Sequence, residues 1–138
     1  MLRLLPLLAL AGAAPVGRLD VALLDLRSGV GNVHLCLTRD PTHFPDCKRD
    51  PRARRLSAPA GESAGLGFSG LSSGTYALAV FHDENGNGRL DTFAGIPREG
   101  FGFSRNPAVR FGPPRFVEAR FTLVAGEAGQ NIRMKYML

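Results

Sequence analysis

The chain lacks a hydrophobic run long enough to cross a membrane as a helix. Its most apolar stretch, MLRLLPLLALAGAAP at residues 1–15, falls short of the roughly 20 residues a transmembrane helix requires. Helical periodicity is absent beyond that stretch, which argues against long helices. Lysine is scarce: Lys48 and Lys135 are the only two, so nearly all positive charge is arginine. The two cysteines lack the C-x-x-C spacing by which zinc sites are recognised. No serine or cysteine nucleophile motif is visible, and no internal repeat. The one basic cluster, Lys48, Arg49, Arg52, Arg54 and Arg55, is broken by Asp50 and Pro51 and has no interleaved aromatics. Nucleic acid is therefore not an expected partner. The cluster reads as a solvated loop, or as a weak attraction to an anionic surface.

What is present describes one small domain. The 138 residues leave room for a single core. Hydrophobic residues at 44% and charged residues at 21% suit a folded globular chain. Net charge is +5. Gly 17 and Pro 10 favour many turns between short strands. Residues 1–14 read as a signal peptide: Arg3 gives a positive start, Leu4 to Leu10 an apolar centre, and Ala11-Gly12-Ala13 a small-x-small cleavage pattern. Residues 15–138 then form one exported domain, periplasmic or secreted. Export makes a Cys36–Cys47 disulfide the favoured reading over a metal pair with His34 and His43. A bridge of that span contributes about 3 kcal/mol by chain-entropy reasoning.

Alternating segments mark the strands. Leu19 to Leu26, Val33 to Thr38, Leu56 to Ala58 and the region of Leu66 and Phe68 read as strands. Thr75 to His82 is apolar on both faces, as a central strand is. Phe116 to Val124 alternates, with Val117, Ala119, Phe121 and Leu123 inward. Gly70–Gly74 and Gly126–Gly129 read as turns, and Ile132, Met134 and Tyr136 as one face of a last strand. Tyr76 follows a tight turn, where its hydroxyl can bond back across the corner as in Greek-key sandwiches. The expectation is an all-β sandwich of about seven strands. Thr92 to Arg115, with its phenylalanines and prolines, forms one long irregular loop. Its phenylalanines either cap the core or display a surface.

The sharpest chemical motif is Asp83-Glu84-Asn85-Gly86-Asn87-Gly88-Arg89-Leu90-Asp91. It reads D-x-N-x-N-G-x-x-D. In a calcium loop the side-chain oxygens of Asp83, Asn85 and Asn87 occupy positions 1, 3 and 5. Gly88 makes the sharp turn, Arg89 offers its carbonyl, and Asp91 stands at position 9. Position 12 holds Ala94 in place of glutamate, and Glu99 is a distal substitute. Two charged ligands imply weak, structural binding, on the order of 10⁻⁴–10⁻³ M. The same residues also build a plain Asn-Gly turn that binds nothing.

The strings GLSSGTYALAVFHDENGNGRLDT, GIPREGFGFS and FGPPRF resemble the domain of unknown function 2141 family, over roughly residues 18–136. The resemblance implies a β-sandwich of transthyretin-like or immunoglobulin-like type in a commonly exported bacterial protein. It implies no activity. The acidic loop also resembles calcium loops in B-type repeats of bacterial surface adhesins. The expected role is a monomeric binding or structural module, with a protein, peptide or glycan partner. A small hydrolase using His82, Asp83 and Glu99 is the rival, with a cleft beside the 92–115 loop. A peptide or glycan binder using Phe101, Phe103 and Arg105 is a third possibility.

Overall fold

A computed structural model describes residues 16–90, 92–93, 96–110 and 112–138. The segment read as a signal peptide lies outside them. So do Asp91, Ala94 and Phe111.

The architecture is an all-β sandwich. β1 (Val16–Leu24) is the middle strand of a three-stranded sheet, between β4 (Leu66–Ser72) and β10 (Gly126–Arg133). The second sheet runs β3 (Arg54–Pro59), β2 (Asn32–Thr38), β5 (Gly74–Asp83), β8 (Phe101–Phe103). β9 (Phe121–Leu123) also pairs with β5, at the opposite end from β8. β6 (Thr92–Phe93) and β7 (Ile96–Pro97) form a minimal hairpin.

Period-2 alternation builds the core between the sheets. Leu19 and Val21 of β1 meet Leu66 and Phe68 of β4, Ile132 of β10, and the inner faces of β2 and β5. Val33, Leu35 and Leu37 come from β2, and Tyr76, Leu78 and Val80 from β5. As the sequence implies, β5 is buried on both faces. Its outward residues Ala77 and Ala79 join Phe101, Phe103 and Ala119 in a second, smaller cluster. Phe44 packs onto that cluster, with its ring edge-on to Phe103 and Phe116 at 5.8 and 6.1 Å. The Cys36–Cys47 disulfide joins β2 to the polar loop that carries Phe44.

Three expectations change. The 92–115 stretch is not structureless: Phe101–Phe103 is a strand of the main sheet. Its phenylalanines point to the second cluster, while Gly102 faces inward. A Cβ on Gly102 would lie 2.6 Å from Ile132 Cγ2, so glycine lets the C-terminal segment close against this strand. The strand expected at Phe116–Val124 begins instead as one helical turn, α1 (Phe116–Ala119), and only Phe121–Leu123 is extended. The Glu118 carboxylate accepts the Arg115 N–H at 2.8 Å, a local bond that favours the turn and leaves Val117 exposed. Finally, Gly126–Gly129 is strand. It runs parallel to Gly17–Asp20, an alignment that no local pattern encodes.

The two sheets are tied at one edge by the chain after β10. Met134 N–H donates to Leu24 O at 2.8 Å, and Phe101 and Lys135 exchange backbone bonds of 3.0 and 2.8 Å. The Asn106 amide donates to Asn131 O and accepts from Arg133 N, both at 2.8 Å, acting as an extra peptide against β10.

Candidate functional site

The site lies where β5 ends. Strand alternation sends its last two residues to opposite faces. His82 points inward and is fully buried. Its Nε2 faces the Val30 carbonyl at 2.7 Å, which requires the proton on Nε2. Nδ1 then accepts from the Tyr136 hydroxyl at 2.7 Å, and that oxygen accepts the Arg27 N–H at 3.2 Å. Burial pushes the Tyr136 phenol above its ordinary pKa. His82 is thus a satisfied core histidine.

Asp83 points the other way, yet its side chain is only 1% exposed. Oδ2 accepts from His34 Nε2 at 2.9 Å and from Gly88 N–H at 2.8 Å. Oδ1 accepts from Asn87 N–H at 3.1 Å. Burial opposes the charge on this carboxylate, but the bonds from His34, Gly88 and Asn87 together outweigh it. Its pKa falls below the ordinary value. His34 in turn holds Ser57 Oγ at 2.6 Å through Nδ1, and its ring packs against Phe81 at 4.7 Å.

The loop that follows is folded by its own side chains. Asn85 Oδ1 accepts Asn87 N–H at 3.2 Å, and Asn87 Oδ1 accepts Arg89 N–H at 2.9 Å. Gly86 and Gly88 adopt left-handed φ values of 69° and 75°, which lets the chain turn back twice. Glu99 is buried and lies beside the loop, where Oε2 accepts Glu84 N–H at 2.6 Å. Glu84 is fixed by Arg27, whose Nε donates to Oε1 at 2.9 Å, and by Ser28 Oγ at 3.1 Å. The Arg27 bond lowers the Glu84 pKa, with burial working against it. The Arg27 guanidinium also lies 4.5 Å over the Tyr136 ring.

Several sequence-predicted residues therefore meet and others do not. Asp83, Asn85, Asn87 and the Arg89 backbone converge on one loop, with Glu99 alongside. Asp91 lies outside the described residues. Among the described residues, no three His, Cys, Asp or Glu side chains form a ready metal cluster. The hydrolase trio is not one constellation, because His82 and Asp83 serve opposite faces of the sheet. Phe101 and Phe103 are buried, 5% and 8% exposed, so they display no binding surface. Arg105 alone of that set is exposed. The sequence reading overlooked the Ser57–His34–Asp83 contact. Its only local signal was the alternation placing His34 on the face opposite Val33 and Leu35. The cross-strand register that brings Ser57 to it is not written locally.

No curated protein and no solved structure matches the chain. A family profile described as an uncharacterized protein conserved in bacteria matches residues 21–132, most of the sequence. The chain belongs to that family, DUF2141.

Proposed function

We propose that this protein is an exported binding or structural module of the bacterial envelope, periplasmic or secreted, whose 83–91 loop takes up calcium weakly. The observation that carries the calcium reading is the sharing of one donor. The Asn87 N–H lies 3.1 Å from Asp83 Oδ1 and 3.2 Å from Asn85 Oδ1, so two oxygens at alternate loop positions converge on one point. Side-chain oxygens of this kind carry two lone pairs. A hard cation would draw on the same oxygens that now hold loop amides, together with Asn87, the Arg89 carbonyl and Asp91. Glu99 stands where a second-sphere carboxylate would steady the loop. The Cys36–Cys47 disulfide supports an oxidising compartment. A bound ion would fix the start of the 92–115 segment and so any partner surface near it.

Thermal melts of the oxidised protein test the calcium reading. The protein is chelated, then titrated with calcium to several millimolar, with magnesium as control. At a hundred times Kd, binding to the folded state adds about 2.7 kcal/mol, a rise of several degrees. Asn85→Ala and Asn87→Ala should each abolish the calcium-selective rise. A melt indifferent to calcium would reduce the segment to a turn.

A further inference from the structure

We propose that Ser57, His34 and Asp83 form a nucleophile, a general base and a positioning carboxylate, and that they hydrolyse small carboxylic esters on the outer face of the five-stranded sheet. The three residues come from three adjacent strands, β3, β2 and β5. Ser57 Oγ lies 2.6 Å from His34 Nδ1, and His34 Nε2 lies 2.9 Å from Asp83 Oδ2. The Asp83 carboxylate accepts only, so it keeps the imidazole proton on Nε2. Nδ1 is left as the acceptor for the Ser57 hydroxyl proton, the tautomer a general base requires. The two ring nitrogens exchange the places they hold in the familiar serine-hydrolase triad, but the roles are the same. The Phe81 ring beside His34 restricts its rotation.

Backbone register supplies an oxyanion donor. Ala60 N–H donates to Gly31 O, so the Gly31–Ala60 pair is a hydrogen-bonded one. Bonded and non-bonded pairs alternate along an antiparallel ladder. His34 and Ser57, three pairs along, form a non-bonded pair, where side chains approach most closely. The Ser57 N–H consequently points to the open edge, because among the described residues β3 pairs only with β2. Nucleophile and N–H thus belong to the same exposed residue. Arg55, two residues along the same face, gives the surface a cationic flank.

The chemistry balances with water as the only co-reactant. Ser57 Oγ attacks the acyl carbon and its proton passes to His34 Nδ1. The tetrahedral intermediate collapses as the C–O bond to the leaving group breaks, and Nδ1 returns the proton to the departing alkoxide. Water then attacks the acyl-serine and gives a proton to Nδ1. Collapse releases the carboxylic acid, and the proton returns to Ser57 Oγ.

The test uses the oxidised full chain with a fluorophosphonate probe and p-nitrophenyl acetate, in chelator and again in calcium. Peptide mass spectrometry should place the phosphonate on Ser57. Ser57→Ala should remove both labelling and turnover, His34→Gln should lower both by about 10²–10⁴-fold, and Ser73→Ala should change neither. Each variant is first matched to the parent in its melt. Imidazole ¹⁵N shifts should show the His34 proton on Nε2, with that preference lost in Asp83→Asn. Labelling of Ser57 no faster than of Ser73, or equal turnover by the parent and Ser57→Ala, would overturn the proposal. A calcium-dependent melt without labelling sinks the triad alone. Labelling without a calcium response sinks the calcium reading alone.

Discussion

Tyr76 shows how one side chain can serve two purposes. Its ring lies in the main core, and its hydroxyl donates to the Ser72 carbonyl at 2.6 Å, closing the corner between β4 and β5. Tyr76→Phe keeps the ring and leaves that carbonyl short of a partner. Urea unfolding should register a loss of about 1 kcal/mol with an unchanged m-value. Thr38 and Asp50 form a second such contact. The Thr38 hydroxyl, 1% exposed, donates to Asp50 Oδ2 at 2.5 Å. That bond is the main reason the Asp50 pKa is lowered; burial opposes it and the Arg52 N–H assists. A depressed carboxyl contributes stability above its unfolded pKa and loses it as pH falls through the folded value. Thr38→Val should therefore cost about 1–2 kcal/mol at neutral pH. The difference from the parent should shrink in denaturant melts below about pH 4. The tyrosine corner was legible in the sequence because its turn and strand are contiguous. The Thr38–Asp50 contact was not, because the geometry of the intervening loop decides it.

At the level of elements, the paired glycines and phenylalanines of Gly100-Phe101-Gly102-Phe103 describe a strand with one flat face. The phenylalanines fill the second cluster and the glycines admit Tyr136, Ile132 and Met134. Gly102→Ala would overpack this contact and should cost about 1–3 kcal/mol in chemical unfolding. The Cys36–Cys47 bridge acts on the same cluster, since its loop brings Phe44. The double variant Cys36→Ser, Cys47→Ser should lose about 3 kcal/mol and gain protease cleavage between residues 39 and 53. Val33 to Thr38, with its strict alternation, and Thr75 to His82, apolar on both faces, were readable from sequence. Phe116–Val124 misled because α1 and β9 happen to preserve alternation across their junction. Gly126–Gly129 misled because its two glycines carry the local mark of a turn, whereas the parallel pairing with Gly17–Asp20 that makes the segment a strand is set by a distant partner.

For the molecule as a whole, the C-terminal segment adds backbone and side-chain ties between two sheets that already share a core. Met134 is 3% exposed in the main core, Lys135 bridges to Phe101, and Tyr136 bonds the buried His82. A chain ending at Arg133 should lose cooperative unfolding, with a lowered and broadened melt and faster amide exchange in β8. Composition, turn residues and period-2 alternation by themselves determined that this chain is an all-β sandwich, because those signals act within a few residues of one another. They also marked 83–88 as a segment that turns on its own Asn and Gly residues, as the side-chain bonds of Asp83, Asn85 and Asn87 to loop amides bear out. The parallel pairing of β1 with β10, the opposite fates of His82 and Asp83, and the meeting of Ser57 with His34 depend on register between distant strands. Burial of the whole core selects that register, and only the tertiary structure records it.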